Sequence, residues 1–240
     1  MQAFWLALQF LTRIPVADTG PADPRRLGQS ALYYPVVGLL LGLLLVLLAA
    51  LLAGGPHLAS AALVLAAWVL LTGGLHLDGL ADCADAWVGG YGDRERSLRI
   101  MKDPSSGPIA VCVLLLVLLL KFAAIDALLD EQCYAALVLA PVLGRAAILL
   151  LMCNTAYVNP HGLAAKLLEQ FPADAARWPI ATSAVLGLMI LGWPALLAAG
   201  LLLFWLRRAA IARLGGCTGD VYGAAVELVE TAVIAAAAFR

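Results

Sequence analysis

The 240-residue sequence is short of charge: 13% of its residues are Asp, Glu, Lys or Arg, about half the share of an average soluble domain at ~25%. Neither sign is in excess, with fifteen Lys+Arg against sixteen Asp+Glu, so charge alone implies no polyanionic partner and no nucleic acid. The five cysteines (Cys83, Cys112, Cys133, Cys153, Cys217) stand far apart with no C-x-x-C pair. They read as small buried hydrophobes rather than a zinc site or a disulfide framework. The N-terminus, MQAFWLALQFLTR, lacks the basic region and small-residue cleavage site of a secretory signal. No apolar run alternates in the manner of an outer-membrane strand, which argues against a barrel.

What the chain does have is apolar residues, at 63% and a mean hydropathy of +0.94. A disordered chain and an ordinary water-soluble enzyme are thereby excluded. The expected fold class is all-α: a polytopic membrane helical bundle of six or seven transmembrane helices, forming a single integral membrane domain over residues 1–240. Runs long enough to cross a bilayer, about 17–25 residues, are 31–53, 58–75, 109–129, 134–153 and 221–239. Residues 179–206 are too long for one span and are interrupted by Gly192-Trp193-Pro194, which predicts a hairpin and seven crossings in all. Residues 1–12, with Phe4, Leu8 and Leu11 at helical spacing, suit an interfacial helix.

Lys and Arg concentrate in residues 12–30, 76–107, 154–178 and 207–220 and are missing from the turns near 55 and 131. The positive-inside rule places these four loops in the cytoplasm. Chemistry gathered on one face suits an enzyme acting on cytoplasmic substrates, with 76–107 as its catalytic loop and helix and 207–220 as a Gly-rich loop. A transporter would carry polar groups near the midplane in two related halves, and no internal repeat is visible.

The stretch GGLHLDGLADCADAW, residues 73–87, is the most informative. Asp78, Asp82 and Asp85 are spaced i, i+4, i+7 and fall within roughly 60° of one another on a helix. No Lys or Arg shares that face, so three stacked carboxylates repel unless a cation sits among them. Oxygen donors without soft partners select Mg²⁺ over zinc, and such an ion favours phosphoryl transfer. The bland alternative is a solvated polar helix at a membrane exit. His76 is a weaker catalytic candidate, because an interfacial His is often only polar trim.

Two further groups follow. In MKDPSSGP, residues 101–108, Lys102 is a point charge suited to phosphate, and Ser106 and Gly107 precede a helix start that favours anions. In GGCTGDVYGA, residues 215–224, a Gly-rich turn at Thr218, Gly219 and Asp220 enters a helix and can cradle phosphate through backbone amides. Glu227, Glu230 and Arg145 lie inside apolar spans, where charge is costly and marks either function or a buried partner. An ion pair of Arg145 with Glu227 or Glu230 and a direct substrate role both fit.

These motifs, together with FLTRIPV (10–16) and YYPVVG (33–38), resemble the cobalamin synthase family, the adenosylcobinamide-GDP ribazoletransferases. The resemblance implies a Mg²⁺-dependent transferase, multi-pass in the bacterial inner membrane. It would join adenosylcobinamide-GDP to α-ribazole, or its 5′-phosphate, with release of GMP, the last step of cobalamin nucleotide-loop assembly. The lipid bilayer would be its surroundings, and a homo-oligomer or other cobalamin-pathway enzymes its protein partners. On this reading Asp78 and Asp82 hold the ion, and Asp85 completes the metal site or accepts the nucleophile's proton. Arg13 and Lys102 meet phosphate oxygens, Asp103 orders Lys102 or a second ion, and Thr218, Gly219 and Asp220 contact nucleotide or ribazole. Rival readings are a CDP-alcohol phosphotransferase-like lipid synthase, whose usual Ala-Arg pair after the first two acids is missing here, and a transporter built on the buried carboxylates.

Overall fold

Turn residues and caps divide the described part of this apolar sequence into eleven α-helices. The computed structural model describes residues 2–16, 20 and 23–239, and among these there is no β-strand. Helix α1 (Gln2–Leu11) is followed by α2 (Pro24–Ser30), which starts on Asp23 with Pro24 in its first turn, and a 3₁₀ turn (Ala31–Tyr33) leads into α3 (Tyr34–Leu51). Then come α4 (His57–Thr72), α5 (Leu75–Gly89), α6 (Arg94–Ile100), α7 (Pro108–Asp130), α8 (Tyr134–Asn154), α9 (Leu163–Leu168), α10 (Ala173–Leu214) and α11 (Gly219–Ala238). The catalytic segment expected at 76–107 is therefore two helices and a loop.

Among the described residues five segments are long and apolar enough to cross a membrane: Pro24–Leu51, α7, α8, α10 and α11. Helices α4 and α5 pass only as a pair, bent by 87°. Gly73 and Gly74, at φ 63° and 71°, make that corner, because two consecutive left-handed residues end one helix and re-aim the next. With α10 counted as one segment, these make five candidate spans among the described residues, or six with the bent pair. The expected hairpin is nevertheless present inside α10. Gly192 (φ 69°, ψ −179°) interrupts the helical conformation. At the N-terminal end of α10 the Cys153 thiol contacts Ala173 O at 3.8 Å, while Arg207 donates to Asn154 O at 2.8 Å and Thr155 Oγ1 at 2.9 Å. A straight helix would hold residues 173 and 207 about 51 Å apart, so the helix folds back into legs 173–191 and 194–214.

Helices α8 and α11 form the centre of the bundle, each with 78% of its apolar window buried. Lipid tails are as apolar as leucine, so helices in a bilayer associate through close packing of small residues. Gly38 and Gly42 of α3 serve this: a Cβ on Gly38 would lie 2.4 Å from Pro141 O, and one on Gly42 2.6 Å from Val138 Cα. Helix α1 turns Ala3, Ala7, Leu8 and Leu11 inward and leaves Trp5 and Phe10 exposed.

The polar loops meet at one end of the bundle. Tyr157 and Cys217 form a parallel bridge, Arg213 Nη1 donates to Trp87 O at 2.6 Å, and Gly28 packs against the Gln170 backbone. The opposite end carries the short turns, where His57 and Asp130 lie 3.3 Å apart and exposed.

Candidate active site

The 87° corner sets α5 across the end of the bundle, and at 15 residues it is too short to cross on its own. Asp78 is exposed, and Asp82 and Asp85 are half-buried. A fourth carboxylate joins them from the first turn of α11. A Cβ on Gly79 would stand 2.8 Å from Asp220 O, and one on Gly223 would stand 3.3 Å from Gly79 Cα. Backbone contact between α5 and α11 therefore places Asp220 beside the aspartate face. Thr218 caps α11, accepting the Val221 N–H at 3.3 Å and donating to Asp220 Oδ2 at 3.1 Å. Burial, then the negative charges of Asp220, Asp78 and Asp85, push the Asp82 pKa up to about 7. Among the described residues none of the four acids forms an ion pair.

Asp85 has partners of another kind. Its Oδ2 accepts the Gly107 N–H at 2.5 Å and its Oδ1 accepts the Ala110 N–H at 2.9 Å, so it caps α7. The anion seat expected at Ser106–Gly107 thus holds a side chain of the protein itself. A Cβ on Gly107 would lie 2.8 Å from Asp85 Oδ1, which explains glycine there. Alongside runs a groove of about 430 Å³ lined by Asp85, Val88, Ile100, Asp103, Ser106 and Pro108. Lys102 is exposed at its rim. Asp103 accepts hydrogen bonds from the Ser105 hydroxyl and N–H, which lower its pKa; its partner is Ser105 and not Lys102.

Arg13 lies at the α4–α5 corner, its N–H donating to Leu71 O at 2.7 Å and its side chain against Gly73. Gly219 opens α11 beside Tyr157, a residue the sequence reading did not assign to the site. Burial and the nearby Asp220 raise the Tyr157 pKa, opposed by hydrogen bonds from the Ala164 and Gly219 backbones. Its ring stacks on Tyr222 at 5.9 Å. An aromatic in a polar loop on the basic side was the available signal.

His76, Arg145 and Glu227 sit beneath this surface, at 3%, 0% and 4% exposure. Arg145 Nη1 pairs with Glu230 Oε1, so the ion-pair reading of Arg145 describes what is found. Lys121 of α7, also missed, bridges Glu227 Oε2 and Glu230 Oε2 at 2.7 Å each and lies 4.5 Å from the centre of the Trp68 ring. Its signal was a lone Lys within an apolar run. Two cations and two carboxylates balance, which is the condition for burying them. Arg145 Nη2 reaches His76 Nδ1 at 3.5 Å.

The donors at the aspartate face are all hard oxygens, the chemistry Mg²⁺ prefers. Among the described residues no three acidic, His or Cys side chains close round a single point. Mg²⁺ is usually held by one or two carboxylates plus substrate phosphates and water.

The profile of the family described as cobalamin-5-phosphate synthase matches residues 3–238. The chain belongs to that family. Its similar relatives include the adenosylcobinamide-GDP ribazoletransferase of Pseudomonas entomophila, 56% identical over 239 residues and covering 98% of this chain and 97% of that protein. Another is the adenosylcobinamide-GDP ribazoletransferase of Pseudomonas savastanoi pv. phaseolicola, 53% identical over 237 residues and 98% of each chain. No solved structure matches. In this chain the TGD turn and the aspartate helix are brought together by the contact of Gly79 with Asp220, 141 positions later in the sequence.

Proposed function

We propose that this chain joins adenosylcobinamide-GDP to α-ribazole or its 5′-phosphate and releases GMP, completing the nucleotide loop of cobalamin. A ribose hydroxyl oxygen of the ribazole attacks the phosphorus bonded to cobinamide. The bridging P–O bond breaks and GMP departs with the oxygen. The observation that supports this most is the convergence of Asp78, Asp82 and Asp220 at the Gly-rich start of α11.

Asp78 and Asp82 would hold Mg²⁺, with Asp220 beside them. Bound there, the ion would neutralise charge on the pyrophosphate as GMP leaves. The protein's own part is positional: Thr218 orients Asp220, Asp85 ties α5 to the start of α7, and the open groove next to it leaves room for a bulky substrate. Arg13 at the α4–α5 corner and Lys102 at the rim of the groove would be its phosphate contacts. Among the described residues, the Lys and Arg side chains outside the helical core all occur in the segments at this end, which supports a cytoplasmic site in the inner membrane.

Purified protein in detergent, given adenosylcobinamide-GDP and α-ribazole with Mg²⁺, is expected to release GMP only when both substrates are present. GMP formation that ignores α-ribazole, or none at all, overturns the reading. A transporter would need sealed vesicles, and a lipid synthase would release CMP from CDP-diacylglycerol.

A further inference from the structure

We propose that His76 is a positioning residue, the acceptor through which the buried Lys121–Glu227–Glu230–Arg145 network fixes the first turn of the aspartate helix. The activity readouts rest on the function proposed above. His76 lies two residues before Asp78 and is 3% exposed, so it cannot touch a substrate at the aspartate face. A guanidinium only donates hydrogen bonds, so His76 meets Arg145 Nη2 through an unprotonated Nδ1, at 3.5 Å. The other arm of Arg145 holds Glu230 of α11, and Glu230 shares the Lys121 ammonium of α7 with Glu227.

The same helix α7 receives a second tie. Asp85 binds the Gly107 and Ala110 N–H groups at its start. Helix α5 is therefore anchored at His76 and again at Asp85, and both ties end on α7. Asp78 and Asp82, whose side chains form no hydrogen bond or ion pair with another described residue, stand between the anchors. Carboxylates that must face a substrate cannot pack against the bundle themselves, so their placement is delegated to the residues on either side. Misplacing a reacting group by about 1 Å is enough to cost ~100-fold in rate.

The test separates positioning from proton transfer. His76→Asn offers an amide oxygen near the place of Nδ1 but cannot exchange protons, whereas His76→Leu offers neither. Asn is expected to keep kcat within about threefold of the parent, and Leu to lower it ~10- to 100-fold with KM for both substrates little changed. An Asn variant as inactive as Leu, or a Leu variant with full kcat, overturns the proposal. Lys121→Met is expected to lower kcat, and the charge-balanced pair Lys121→Met with Glu227→Gln to recover most of it; a pair no better than the single variant counts against the network. Should the Leu variant not fold, hydrogen exchange of residues 75–89 in Glu230→Gln decides: faster exchange than the parent is expected, and unchanged exchange overturns the proposal. That measurement needs no turnover, and GMP release by the parent protein tests the function separately.

Discussion

Gly79 and Asp220 meet backbone to backbone, and a Cβ on Gly79 would lie 2.8 Å from Asp220 O and 2.9 Å from its Cα. This contact adds the fourth carboxylate to the aspartate face. Gly79→Ala must therefore push the start of α11 away from α5. Overpacking of this kind costs about 1–3 kcal/mol, and the displaced Asp220 should lower turnover ~10- to 100-fold. Melting in detergent and GMP release measure the two effects. Unchanged turnover with a lowered melting temperature would show that the chemistry does not need this spacing.

Asp82 makes the metal-free protein sensitive to pH. Its pKa in the folded chain is raised to about 7 from 3.8, so the folded state binds the proton more tightly than the unfolded one. The stabilisation from that proton is complete below pH 3.8 and is lost as pH rises towards 7. Melting temperature measured without divalent ions should fall across this window. Added Mg²⁺ should raise it at pH 8, where Asp82 is ionised, and hardly at pH 5. In Asp82→Asn both dependences should shrink and GMP release should collapse at every Mg²⁺ concentration. Turnover and Mg²⁺ dependence like the parent's would remove Asp82 from the site.

Asp85 should behave as a cap. Asp85→Ala strips two N–H groups at the start of α7 of their acceptor, and loss of a helix cap costs about 0.5–2 kcal/mol. Asp85→Asn keeps one acceptor and should lie between Ala and the parent in melting temperature, with activity following the same order. A stable Asn variant with no activity would instead assign Asp85 a direct role in the reaction.

Gly192 permits the fold-back of α10. With φ 69° and ψ −179° it occupies a region nearly closed to other residues, where a side chain costs about 1–3 kcal/mol. Gly192→Ala is expected to lower the melting temperature. Gly200→Ala, in the second leg with open space around the added methyl, should be neutral or stabilising by up to about 1 kcal/mol. Equal effects of the two substitutions would contradict the hairpin.

Much of this was legible in the order of residues. Apolar run length gave the helix limits of α3, α4, α7, α8 and α11 within three residues, because a bilayer admits few other ways to satisfy a backbone. Glycine and proline marked the hairpin at 192–194, and i, i+4, i+7 spacing put three acids on one face whatever the fold. The rival pairings of Arg145 were narrowed to two. Local spacing could not tell which helix faces would meet, since helices that are apolar all round carry no stripe to choose a neighbour. Only the tertiary structure brought Asp220 to Asp82, put Lys121 between Glu227 and Glu230, and turned Asp85 towards α7. Those contacts join residues 22 to 138 positions apart, and they depend on glycines that let helices touch and on charges that must find partners once water is excluded.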